Sequence, residues 1–366
     1  MKIKFVSVFL DHSGYAQASR NVLLALLSAG IEVQTKIVSF QSGNESTGAG
    51  AEEAKNREQK NIDYDIVLIM LTPEQAVLYK ENDKYNIEIL FWEVLGLDNR
   101  WVEHLKKFDE IWTPSKIFAD TFLHNGVNKP IKVIKQPIEI KETTKKIKIK
   151  EWDKFLFYSI FQWTERKNPK ALLKAYWEAF ENNNDVALLL KTYRGDFSIS
   201  ERQIIKNDIK NWKIEQPQKH YPKVFLVLDE LSKEEINKLH NRGDIFVSAH
   251  RGEGWGYPQM EAMAVGNPII STNFGGIHEI LSDKNSWLVD YEFNNVFGMN
   301  HIPWYNNNQL WAEISKEGLK KAMLEAYNNK KLKKSKSKSA IIFVRKNLSM
   351  SKVGQEFKNL LTEIKL

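Results

Sequence analysis

The chain has no cysteine among its 366 residues. Disulfides and thiolate metal sites are therefore excluded, and the composition fits a reducing compartment. It also has no apolar run long enough to cross a bilayer. The stretch Lys2 to Leu10 is short and runs directly into Asp11 and His12, which argues against a signal peptide as well. The expectation is a soluble, cytoplasmic protein. No segment repeats at a solenoid period, and no serine, histidine and aspartate sit on a nucleophile elbow.

Hydrophobic residues make up 42% of the sequence and charged residues 27%, enough for two ordinary domains with sizeable cores. Net charge is +7 and the pI is about 9.1. That balance favours an anionic partner, whether a nucleotide diphosphate, a phospholipid or nucleic acid.

The pattern along the chain alternates strands and helices. Ile3 to Leu10 reads as a strand, Ser13-Gly14-Tyr15 as a turn, Ala18 to Leu27 as a helical face ending at Gly30, and Ile31 to Val38 as the next strand. Ligands bind at such strand ends. Gly14 can admit a substrate to the backbone there or simply serve the turn. Phe40 to Ala54, with three glycines and few large residues, reads as a mobile loop. Further strands are expected at Ile66 to Leu71, Ile87 to Trp92, Glu110 to Trp112 and Ile131 to Ile134. Glu93 at a strand end is a candidate ligand-binding carboxylate.

Five lysines between Lys141 and Lys150, with few large apolar neighbours, mark a linker. The predicted organisation is one α/β domain over 1–140, a linker over 141–152, a second α/β domain over 153–347, and a last helix over 348–366. The second half opens with strand Phe155 to Phe161 and a loop carrying Arg166 and Lys167 before Pro169. Strand Val186 to Leu190 leads to Lys191-Thr-Tyr-Arg-Gly195, read as a basic turn. From Leu310 the spacing of Trp311, Ile314, Leu319, Met323 and Ala326 reads as helical. Lys330 to Lys338 holds six lysines, either a solvated face or a contact for anionic lipid or nucleic acid.

The densest chemistry lies in Ser248 to Glu261, SAHRGEGWGYPQME. A buried strand before it, glycines within it and Pro258 at a helix start describe an active-site turn. Backbone amides at that helix start, approachable beside Gly254 and Gly256, suit a phosphate. Glu253 and Glu261 can accept hydrogen bonds from the hydroxyls of a sugar or ribose, or be an exposed acid and a helix-start acid. Arg166 and Lys167 are either surface charges or the counterions of a departing diphosphate.

Two glutamates with seven residues between them, GWG among those seven, then EAMAVGNPII and Gly275-Gly276-Ile-His-Glu279, resemble the donor site of the family 4 retaining glycosyltransferases, the group 1 glycosyl transferases. Phe91-Trp-Glu93, Asp109 to Ser115 and the Gly126-Val127 turn resemble that family's N-terminal domain. The resemblance implies the GT-B fold: two doubly wound Rossmann-like α/β domains facing across a cleft, the acceptor domain over 1–140 and the donor domain over 153–347, with the last helix over 348–366 crossing back to the first domain. It implies Glu253 and Lys167 as catalytic groups, with Glu261 on the ribose. Arg166, Lys191, Gly254, Trp255, Gly256 and Tyr257 are the further donor-binding candidates, and Gly14 and Glu93 lie on the acceptor side. Two departures stand out. Many members have a histidine where Trp92-Glu93 falls, and an arginine where this chain has Gln162.

The implied reaction is retaining transfer of a sugar from a nucleoside diphosphate sugar to a hydroxyl of a glycan or lipid-linked glycan, with a modified base in DNA as an alternative acceptor. No further cofactor is expected. Asp63-Tyr-Asp65 spells the Asp-x-Asp of metal-dependent sugar transferases but precedes its strand, so no obligatory metal is expected. A peripheral contact with an anionic membrane is a further expected partner. Two competing classes are a glycoside hydrolase using Glu253 and Glu261 as its carboxyl pair, and a non-catalytic protein that binds nucleotide sugar or nucleic acid.

Overall fold

Short runs of consecutive apolar residues form strands buried on both faces, and the helices between them cover those faces. The computed structural model describes residues 1–39, 46, 48–140, 145–149 and 152–365. Two compact units result, one of Met1–Glu139 with Arg345–Leu366 and the other of Ile140–Val344.

The first unit runs β1 (Lys2–Val8), α1 (Gly14–Ser28), β2 (Glu32–Val38), α2 (Ala49–Glu58), β3 (Ile66–Met70), α3 (Pro73–Ala76), β4 (Tyr85–Ile89), α4 (Asn99–Leu105), β5 (Glu110–Thr113), α5 (Lys116–His124) and β6 (Ile131–Val133). Its strands form a parallel sheet in the order β2-β1-β3-β4-β5-β6. Every residue of β3 is buried, as a central parallel strand requires. Ser13 caps α1 by accepting from the Ala16 amide at 3.1 Å, and Asp98 caps α4 in the same way.

The stretch expected as a loop after β2 is corrected in part. Residues 40–45 and 47 lie outside the described residues, but Ala49–Glu58 is a helix with Gly50, Ala51 and Ala54 buried. A side chain at Gly50 would meet Arg20 Cβ at 2.8 Å. Its small residues serve close packing on α1, a role that composition alone does not distinguish from flexibility.

The second unit continues with β7 (Phe155–Gln162), α6 (Pro169–Ala179), β8 (Val186–Tyr193), α7 (Ile199–Ile214), β9 (Lys223–Val227), α8 (Lys233–Arg242), β10 (Ile245–Ser248), α9 (Tyr257–Ala264), β11 (Ile269–Thr272), β12 (Ser286–Val289), β13 (Tyr291–Asn295), β14 (Leu310–Ile314), α10 (Lys316–Asn328) and α11 (Lys330–Asn347). Its parallel sheet has the order β12-β11-β10-β7-β8-β9. That is the doubly wound 3-2-1-4-5-6 order read from the other edge, with its switch point between β7 and β10.

Three further expectations change here. Lys191 lies inside β8 rather than in a turn after it. Leu310–Ile314 is a strand paired antiparallel with β13, not the start of a helix. Trp311 and Ile314, three residues apart, would share a face of a helix, but in this strand they lie on opposite faces and both are buried. The lysine run is part of α11, and it is neither wholly solvated nor wholly available. Lys336 is buried and donates to the carbonyls of Asp283 and Ser286, and Lys333 pairs with Asp244 at 3.1 Å. Lys330, Lys331, Lys334 and Lys338 are exposed.

The last helix, α12 (Met350–Glu363), belongs to the first unit. Gly354 lets it lie on α1, since a Cβ there would stand 2.1 Å from the Ala25 carbonyl oxygen. Among the described residues no helix is long and apolar enough to cross a membrane.

Candidate active site

Strands β7 and β10 pair side by side, and the chain leaves their carboxyl ends in opposite directions around the sheet, which opens a crevice at that point. The loop after β7 holds Glu165, Arg166 and Lys167 in one 3-10 turn. Asn168 ends it in the left-handed conformation at φ 52°, which asparagine tolerates better than most residues. Its side chain caps α6 by accepting from the Ala171 amide, and donates to Glu313 Oε1 at 2.9 Å. Lys167 is thereby fixed at the head of the helix.

The loop after β10 is stitched to this turn. The Arg251 amide donates to the Arg166 carbonyl at 2.7 Å, and Arg166 Nη1 donates to the Gly252 carbonyl at 2.9 Å. Lys167 Nζ donates to Glu253 Oε2 at 2.6 Å. Arg251 itself is buried beneath both loops, bonded to Glu165 and Glu313 and stacked over Phe297 and Trp311. Its surroundings satisfy it, so its role there is to hold the two loops in register.

A third strand end closes the arrangement. The Gly276 amide donates to the Glu253 carbonyl at 2.8 Å. A Cβ on Gly275, at φ 98°, would stand 2.5 Å from that same oxygen, and one on Gly276 would stand 1.8 Å from the Gly254 carbonyl oxygen. Only bare backbone fits at either position. The paired glycines are thus explained by close approach of two loops.

Burial would raise the Glu253 carboxyl, but Lys167, His250 and Arg166 bring it down to about 2. His250 is fully buried; its Nε2 lies 2.9 Å from the Phe274 carbonyl and its Nδ1 2.9 Å from Ser248 Oγ. Burial pushes this imidazole down to about 4, so it is neutral, with Nε2 donating and Nδ1 accepting. Gln259 donates to Ser248 Oγ at 3.2 Å and reaches Glu253 Oε2 at 3.5 Å.

Gly256 precedes helix α9 as its N-cap, and its φ of 91° marks a sharp entry. Trp255 turns its indole into the core, with Nε1 on Met260 Sδ at 2.8 Å, and Tyr257 is buried in the first turn. Glu261 is one turn further along. Burial would raise its carboxyl too, yet Lys233 and His240 hold it well below the usual carboxylate range. Lys233 pairs with Oε1, and His240 Nε2 is 3.3 Å from Oε2. Lys191 lies on the other side of β7, near the end of β8, its ammonium 5.0 Å from the Phe197 ring. Burial brings it down to about 8, against the pull of Asp229 and Glu230. No carboxylate forms a salt bridge with it among the described residues.

Lys167, Arg166, Glu253, Gly254, Trp255, Gly256, Tyr257 and Glu261 are therefore brought onto neighbouring segments around one switch point, with Lys191 on the adjacent strand. Gly14 and Glu93 belong to the first unit, Gly14 as the first residue of α1 and Glu93 half-buried after β4. A Cβ on Gly14 would meet nothing within 4 Å. His250, Arg251, Gln259, Lys233 and His240 escaped the reading of the sequence. The first three fall inside or beside the glycine-rich stretch, but no spacing marks their partners; Lys233 and His240 come from another helix altogether.

Residues 140–296 match the family model of the glycosyl transferases group 1. No match was found among curated proteins. Among solved structures the chain is similar to Anabaena HepE in complex with UDP and glucose, at 13% identity and TM-score 0.69 over 100% of both chains. It is similar to sucrose-phosphate synthase of Thermosynechococcus elongatus, at 14% identity and TM-score 0.71 over 99% of this chain and 98% of that one. It also resembles S. aureus TarM at 15% identity and TM-score 0.59. There it covers 81% of its own length and 54% of the other, so it spans about half of that protein. At these identities the likeness is one of fold, the two Rossmann-like units of the GT-B class.

Proposed function

We propose that this protein, whose residues 140–296 match the group 1 glycosyl transferases, is a retaining glycosyltransferase that uses a nucleoside diphosphate sugar. The observation that carries the reading is the buried contact of Lys167 with Glu253, beside Arg166, at the switch point of the second sheet. A cation pair and glycine-lined amides suit a diphosphate, and a carboxylate held ionised beside them suits sugar hydroxyls.

In this reading Glu261 takes the ribose, Glu253 orients the transferred sugar, and Lys167 with Arg166 balances charge on the leaving group. The bond from the anomeric carbon to the diphosphate breaks with its electron pair staying on the phosphate oxygen. The acceptor oxygen bonds to the same face of the sugar, and its proton passes to that phosphate oxygen, so no separate base is needed. The complexes of HepE with UDP and glucose make UDP sugars the first donors to try. A glycan or lipid-linked hydroxyl is the proposed acceptor, with Gly14 and Glu93 on its side. The exposed lysines of α11 suit an anionic surface that presents it.

The hydrolase alternative fares worse. A glycosidase needs one carboxyl raised enough to donate a proton, whereas Glu253 and Glu261 are both held down by cations. Lys167→Ala tests the proposal through UDP release from a UDP sugar. Turnover at saturating donor should fall by about 100-fold or more, with a smaller loss of donor affinity, because the developing charge is greatest in the transition state. Wild-type turnover in this variant would remove Lys167 from the chemistry.

A further inference from the structure

Behind Glu261 runs a row of buried polar groups that the transfer reaction does not use. Asn267, between α9 and β11, donates through Nδ2 to Tyr158 Oη at 2.8 Å and to the His240 carbonyl at 2.5 Å. Tyr158, on β7, has its hydroxyl 2.9 Å from His240 Nδ1. His240, on α8, places Nε2 3.3 Å from Glu261 Oε2. Tyr158 and His240 are at most 1% exposed, and Asn267 is 9% exposed.

The direction of each bond follows from the one behind it. Asn267 occupies an acceptor position of the Tyr158 hydroxyl, whose own proton then goes to Nδ1. Burial lowers the imidazole pKa, so the ring is neutral and its single N–H is on Nε2, aimed at Glu261. The backbone is shaped for this row: a Cβ on Gly243 would stand 2.2 Å from the Tyr158 ring. The two carboxylate oxygens consequently differ. Oε2 is held from the interior, while Oε1 pairs with Lys233, a side chain 44% exposed at the start of α8.

We propose that His240, oriented by Asn267 and Tyr158, is the positioning residue that sets the rotation of the Glu261 carboxylate for the ribose hydroxyls, with Lys233 as the counterion that the nucleotide displaces from Oε1. The proposal rests on the reading that Glu261 binds ribose. A purely structural row would support the fold and treat every nucleotide alike. A positioning row supports the ribose contact in particular, as an outer partner does when it orients a ligating group.

The test is calorimetric binding of UDP and 2′,3′-dideoxy-UDP to the full chain. Wild type should prefer UDP by about tenfold or more, the scale of a charge-assisted hydrogen bond. Tyr158→Phe and His240→Ala should cut that preference by about threefold or more, leaving the affinity for the dideoxy compound unchanged. His240→Gln, which keeps an N–H near the place of Nε2, should restore it. Glu261→Ala should abolish the preference. An unchanged preference in Tyr158→Phe and His240→Ala, with the preference lost in Glu261→Ala, would overturn the positioning role and leave the ribose reading standing. A preference that survives Glu261→Ala, or is absent from wild type, would overturn both. Should His240→Ala not fold, Tyr158→Phe decides, since it removes a single oxygen and keeps the packed ring.

Discussion

A lysine buried to 5% exposure without a carboxylate salt bridge among the described residues is costly unless something anionic meets it. Lys191 is in that position, and its pKa of about 8 gives opposite pH signatures for folding and for binding. The unfolded chain keeps this proton up to about pH 10.4. Between pH 8 and that value the unfolded state binds more protons, so this residue makes stability rise with pH. If the ammonium meets the donor, UDP affinity falls over the same window, by up to about tenfold per pH unit. Denaturant midpoints and UDP affinities between pH 7 and 10 should diverge in wild type and run flatter in Lys191→Met. Equal slopes in the two proteins would detach Lys191 from the donor site. At this scale the glutamates, the cations and the glycines of the site were legible because each is a residue type with its own chemistry. Lys191 was legible as a charge but not as a buried one, since nothing local says that β8 extends past Leu190.

Among the elements, the loop after β10 depends on the paired glycines at a different strand end. Gly276→Ala forces a Cβ toward the Gly254 carbonyl, which either displaces the glycine-rich loop or strains it. A stability loss of about 1 to 3 kcal/mol is expected, together with a loss of UDP affinity of about tenfold or more. Gly126→Ala provides the contrast. That glycine has φ 86° but open space around it, in the other unit, so it should cost about 1 kcal/mol and leave UDP binding intact. Melting temperatures and calorimetry on the two variants separate local strain from loss of the site. Equal UDP affinity in Gly276→Ala and wild type would mean that the loop's position is irrelevant to binding. The elements that sequence misread have a common cause. Ala49–Glu58, Leu310–Ile314 and Lys336 take their states from partners distant in the chain: α1, β13, and the carbonyls of residues 283 and 286. Local pattern carries the period of an element but not what it packs against.

Across the whole molecule, two alternating βα patterns pointed to two doubly wound units, and the sheets bear this out. The order of strands within each sheet was not legible, because pairing β7 with β10 rather than β9 is decided by crossovers and not by any residue. Yet that order is what brings Lys167 to Glu253. Whether sugar transfer at this site proceeds with the proposed retention is read by following the anomeric carbon. UDP-glucose and UDP-N-acetylglucosamine, each 13C-labelled at that carbon, would be incubated with the full chain and a panel of aryl glycosides and lipid-linked glycans, and the products read by NMR. Retaining transfer predicts a new glycosidic bond to an acceptor with the donor's α configuration, one UDP released per bond formed, and loss of both signals in Lys167→Ala. A β-linked product, or labelled free sugar as the sole product with every acceptor, would contradict it.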